Sequence, residues 1–185
     1  MRAIFLSTAA FALMGMAPTG SAVVSVGGSV AQSCYNAAAA RDASEQAMRT
    51  CNSALNQEVL PYSDLVASHV NRGVLRLVQA DYRGAEADFN RAIALQPSQA
   101  EAWLNKGIAR YQQGDSKAAL EHFDRAIELR TRFAALAYFG RALANEDRGN
   151  IKGAYADLKR ASQLNPDWAA PRVELTRFQV RKPAA

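Results

Sequence analysis

Cys34, Cys51, His69 and His122 make up the whole complement of cysteine and histidine in the chain. Thiolate and imidazole are the common ligands of transition metals and the common nucleophile and base at neutral pH, so their placement bounds the chemistry. Neither histidine belongs to a His-Glu-x-x-His pair, and no Gly-x-Ser-x-Gly elbow or phosphate-cradling glycine loop occurs. The carboxylates Glu86/Asp88 and Glu146/Asp147 read as helix-surface residues, solvated or paired with nearby Arg and Lys. The cysteines are not a Cys-x-x-Cys pair, and no cluster of His or carboxylates accompanies them, which disfavours a redox or metal pair. No catalytic group, metal site or cofactor is expected, and the chain does not read as an enzyme.

The elements that carry these residues are helical. Alanine is abundant, β-branched runs are scarce, and 49% of the residues are hydrophobic against 21% charged. That is the composition of an ordered, helix-rich domain. The formal charge is +5, from 22 basic and 17 acidic residues, so the balance is too even for nucleic-acid binding. It fits a mild preference for acidic partners or anionic surfaces.

The N-terminus is expected to be an export signal. Met1-Arg2 starts a run that is apolar from Ala3 to Met16, and Gly20 and Ala22 occupy the −3 and −1 places of a cleavage site. The run falls short of the ~20 residues a membrane-spanning helix needs, so cleavage after Ala22 is expected, with no stable membrane insertion afterwards. Export to a periplasm, or secretion, makes a structural disulfide between Cys34 and Cys51 the favoured reading of the two thiols. Closing such a loop contributes about 3 kcal/mol in the chain-entropy model.

Laid over itself, the chain repeats. His69-Val-Asn-Arg-Gly73 aligns with Trp103-Leu-Asn-Lys-Gly107, and Ala85, Phe89, Ala92 and Leu95 align with Ala119, Phe123, Ala126 and Leu129 at the same offset. One residue further on, Tyr138, Ala142, Gly149, Ala154, Leu158, Ala161 and Pro166 form a third copy. The pattern resembles the tetratricopeptide repeat, a helix–turn–helix unit. The resemblance implies an all-α fold, a right-handed superhelical solenoid of antiparallel helix pairs. Its expected divisions are a signal peptide (1–22), a flexible segment (23–29), a degenerate capping hairpin (30–65), repeats 1 to 3 (66–99, 100–134, 135–168), and a C-terminal capping helix and tail (169–185). In the capping hairpin Cys34 and Cys51 fall at the seventh and twenty-fourth repeat positions, which face each other in this family, so the disulfide would staple the cap. On the last helix Val173, Leu175 and Phe178 are expected to contact repeat 3.

The resemblance also implies a function, the binding of protein segments in a concave groove lined by the first helix of each pair. The groove residues would be Val70, Asn71, Val74, Leu77, Leu104, Asn105, Ile108, Tyr111, Phe139 and Leu143, an exposed apolar stripe with acidic residues at one end. A second stripe, Arg72/Arg76, Lys106/Arg110 and Arg141/Asn145, is expected to lay its stems against neighbouring helices while its heads reach Glu86, Asp88, Glu121 or Asp157. His69, at a position where the family places an aromatic, reads as a core or edge residue, as does His122. The expected activity is that of an exported adaptor for another envelope protein. The alternative is a self-assembling structural protein whose groove holds its own terminus or a second protomer, a homodimer for example.

Overall fold

Small residues recur where helices must touch: Gly73, Gly107 and Ala142 on one helix of each pair, and Ala85/Ala92, Ala119/Ala126 and Ala154/Ala161 on the other. In the computed structural model, which describes residues 29–56 and 60–178, every one of them is buried. Their lack of bulk lets a larger side chain enter from the opposite helix. A Cβ on Gly73 would lie 2.4 Å from Phe89 Cε1, and one on Gly107 would lie 2.7 Å from Phe123 Cδ1. In the third pair alanine replaces glycine at position 142, and the smaller Leu158 replaces phenylalanine. The two changes compensate in volume, as close-packed interiors require.

The described residues form helices and no strands. A first hairpin is α1 (Ser29–Ala40) and α2 (Glu45–Leu55). Three repeats follow as α3 (Tyr62–Val78) with α4 (Tyr82–Leu95), α5 (Ala100–Gln112) with α6 (Ser116–Glu128), and α7 (Ala134–Asp147) with α8 (Ile151–Leu164). A short α9 (Ala169–Leu175) ends the series. Each helix packs on its hairpin partner, and the second helix of each repeat packs on the first helix of the next. The result is an all-α solenoid of stacked pairs.

Local chemistry sets the turns. Ser44, Asp81, Asp115 and Asn150 each accept a hydrogen bond from the backbone N–H three residues on, capping α2, α4, α6 and α8. Gly114 and Gly149 leave the preceding helices at φ +81° and +78°, where glycine is free of the Cβ clash. Repeat 1 makes the same turn with Ala80 at φ +59°. The cap is held by Cys34 and Cys51, whose Cα atoms are 4.7 Å apart and whose side chains are fully buried among Ala31, Ala38, Ala47 and Ala54.

Some expectations shift. Ser29 already belongs to α1, and α3 begins at Tyr62, ahead of the repeat register at Val66. Leu175 and Phe178 pack on the core of the last repeat, but Val173 is 54% exposed and makes no such seal. The reason is that α9 is the last helix of the described residues, so no further helix among them follows to pack over Val173. The expected signal peptide, the segment 23–28 and the tail beyond Phe178 lie outside the described residues. Among the described residues no helix is long and apolar enough to cross a membrane.

Candidate functional site

The basic stripe on the first helices resolves into a set of stitches. Arg72 grips Asp88 with two hydrogen bonds, Nη2 to Oδ1 at 2.7 Å and Nε to Oδ2 at 3.0 Å, while its Nη1 donates to Asn52 on the cap at 2.9 Å. Arg141 repeats the geometry, with Nη2 and Nε on Asp157 at 2.7 and 2.9 Å and Nη1 on Asp124 of the preceding repeat at 2.7 Å. Each guanidinium therefore closes its own hairpin and ties it to the unit before, a use suited to its planar fork. Glu86 and Asp88 of repeat 1 and Asp157 of repeat 3 receive the stripe as expected, with Asp124 taking the place foreseen for Glu121.

Asp88 collects Arg72, Arg76 (2.7 Å) and His69 Nδ1 (3.1 Å). Burial alone would raise its pKa. The bonds to His69 and Arg72 and the charge of Arg76 outweigh that and hold it below the ordinary carboxylate range. Arg141 is pushed up by its hydrogen bonds to Asp157, against a smaller opposing effect of burial. Repeat 2 breaks the series, because the position of Asp88 and Asp157 holds His122. Lys106 and Arg110, left without that carboxylate, turn to Glu86 of repeat 1. Burial, then the charges of Lys106 and Arg110, depress His122 to about 4, and its ring leans on Trp103 at 5.6 Å.

The groove residues do not form the exposed stripe expected of them. Val70, Asn71, Val74, Leu104, Asn105, Ile108, Tyr111, Phe139 and Leu143 are between 0 and 8% exposed, and Leu77 alone is half-buried. The physical reason is that the first helices also touch one another, α3 against α5 and α5 against α7, so residues between them become interior. Phe139, for example, stacks on Trp168 at 4.8 Å between centroids. Asn71 and Asn105 are engaged inside the fold, out of reach of a peptide.

On the first helices the apolar surface that remains is shallower. Leu77 and Leu136 are half-buried, and Val78 is 46% exposed. Beside Leu136 lies an open recess of about 200 Å³, lined chiefly by Arg132, Phe133, Leu136, Leu164 and Trp168. Arg132 rests over the Phe133 ring at 4.8 Å on its rim. Sequence reasoning passed over this recess. Its only signal was the extra residue that lengthens the joint between repeats 2 and 3. At the far end of α7, Glu146 is paired with Arg177, which follows α9 and also reaches Glu174.

Among the described residues no group of His, Cys, Asp or Glu could hold a metal ion. Stacked hairpins closed by small residues and tied by charged stitches define a helical repeat protein. The family profile described as Tetratricopeptide repeat matches residues 70–132 and again 105–167, together more than half of the chain. The chain belongs to the tetratricopeptide repeat family, whose repeats generally mediate protein–protein interaction and scaffolding. No curated protein matches it.

Proposed function

We propose that the chain is an exported adaptor that holds a segment of another envelope protein, periplasmic or secreted, against the face of its first helices. The observation that carries this reading is the apolar recess beside Leu136 of α7, with the partly exposed Leu77 and Val78 on α3, another of the first helices. Concave sites lined by apolar side chains with a few polar groups are where proteins take ligands. The deeper residues, Val70 to Leu143, serve as a rigid floor that holds this surface in shape. Export is supported by the buried disulfide of the cap and by the leader-like start of the sequence.

A second reading is favoured by Arg177. By reaching Glu146, the end of the described chain already meets the acidic side of α7, which suits a protein whose face is filled by its own terminus or by another protomer.

The test uses the chain after leader removal, immobilised in oxidised form and exposed to envelope extract, beside the double variant Leu77→Ser/Leu136→Ser. The adaptor reading expects a discrete protein retained by the parent and lost by the variant, with equal helicity in both. Equal retention, or a variant that differs only in oligomeric mass by light scattering, contradicts it.

A further inference from the structure

Equivalent positions in successive repeats show where the solenoid is left open. Val70, Leu104 and Phe139 occupy one register position on the first helices and are at most 1% exposed, whereas Val173 at the same position of α9 is 54% exposed. On the second helices Tyr82 and Ser116 are half-buried, and Ile151 at their position is 51% exposed. Glu86 and Leu120 are likewise half-buried, while Tyr155 at theirs is 41% exposed. Six large apolar side chains are exposed among the described residues, and four of them, Ile151, Tyr155, Leu164 and Val173, are on α8 and α9. The other end has none, since no residue of α1 or α2 is among the six. A first helix of ordinary length would run back along α8 to Ile151. Helix α9 has seven residues against thirteen in α5, and among the described residues that follow it Phe178 meets Tyr155 at 6.1 Å between rings.

Charge gives this end its character. Every exposed side chain on α8 that is charged at neutral pH is basic, namely Lys152, Lys159 and Arg160, and α9 adds Arg172. The carboxylates of these helices, Asp157 and Glu174, are buried and already held by Arg141 and Arg177. Asp167, in the connecting turn, is the one exposed acid between them. Helix α6 differs, exposing Lys117 and Arg125 beside Glu121, Asp124 and Glu128. Apolar patches rimmed by polar groups mark interaction sites, and a one-signed rim selects the opposite sign.

We infer that the C-terminal end of the solenoid is a docking surface for an acidic amphipathic helix of another protein, which continues the stack where α9 stops. A helix is the occupant because helices cover these same positions in every inner repeat. Carboxylates flanking its apolar stripe meet Arg172 and Lys159, the latter at the position from which Asp124 reaches Arg141 of the next repeat. Lys152 and Arg160, at positions exposed in every repeat, add to the positive field around it. A second copy of this end is disfavoured, since it would oppose like charges. This surface meets the recess beside Leu136 only at Leu164, and Ile151, Tyr155 and Val173 lie outside that recess.

The test is an amide-shift titration of the full chain with a synthetic helical peptide carrying leucines on one face and glutamates beside them, against a matched peptide with lysines for the glutamates. The glutamate peptide is expected to shift residues 151–160 and 172–175 and to bind more tightly than the lysine peptide by about tenfold or more. That preference should shrink with added salt. Ile151→Ser/Tyr155→Ser, at exposed positions that leave folding intact, should weaken binding by a similar factor, while Leu77→Ser/Leu136→Ser should leave it unchanged. No shift at these residues, or equal affinity for the two peptides, overturns the inference. So does binding that appears only in a variant ending at Phe178, which makes the chain's own tail the occupant. A concentration-dependent dimer lost in Tyr155→Ser overturns it in favour of a second copy.

Discussion

Single side chains at repeated positions carry most of the explanation, and their exceptions carry the predictions. Ala80 takes the left-handed conformation that Gly114 and Gly149 take in the other repeats. A Cβ there costs about 1–2 kcal/mol, so Ala80→Gly is expected to raise the urea midpoint by the equivalent of about 1 kcal/mol, even though glycine loosens the unfolded chain. Gly73→Ala should do the opposite, because its Cβ would lie 2.4 Å from Phe89. Overpacking of this kind costs about 1–3 kcal/mol. Adding Phe89→Leu, the combination that repeat 3 uses as Ala142 and Leu158, should recover part of that loss, as a double-mutant cycle would show. His122 makes stability sensitive to mild acid. Its folded pKa is near 4 and its unfolded value near 6.5, so between those values the unfolded chain binds a proton that the folded chain refuses. Stability is therefore expected to fall as pH drops from about 6.5 toward 4 and to be flat above it. His122→Gln should flatten that slope in urea titrations. The depressed Asp88 adds its own loss only at lower pH, as its carboxylate protonates.

Helices and turns were the most legible part of the sequence. The small residues, Ser44 as a cap, the Gly-Asp and Gly-Asn turns and the offset between copies are all local signals, and each fell where those signals put it. The stitches were legible as a choice of partners, since spacing of four put Arg72 and Arg76 on one helix face. Helix ends were less so. Tyr62 opens α3 ahead of the repeat register, and α9 stops at Leu175 although amphipathic spacing continues beyond it. Burial of the groove was not legible, because periodicity shows which residues share a face and not how closely the next helix approaches it. Leu104 and Phe139 are apolar because they are interior, and a sequence pattern alone cannot separate that from an exposed binding stripe. The disulfide can be tested at this scale. Cys34→Ser/Cys51→Ser should lower stability by about 2–4 kcal/mol, with loss of hydrogen-exchange protection concentrated in α1 and α2. A loss spread evenly over α3 to α8 would contradict a cap that is held locally.

As a whole the molecule is a short stack with unlike ends. One end is closed by a hairpin whose alanine-lined core is crossed by a buried disulfide, and the other presents apolar side chains among lysines and arginines. Repeat proteins of this kind are stabilised unit by unit and at the interfaces between neighbours, so surface outside those interfaces is open to contacts with other molecules. Here the charged stripe is consumed by the stack itself, as Arg72 and Arg141 show, and the proposed adaptor role places its partner on the first-helix face and the recess near Leu136. The most direct test of that claim is photocrosslinking in the intact envelope from a photoreactive phenylalanine placed at Val78, with one at exposed Arg91 on α4 as the comparison. The account predicts a crosslinked adduct with a different protein from position 78 and none of that adduct from position 91. An adduct formed equally from both positions, or only a dimer of the chain itself, would contradict it.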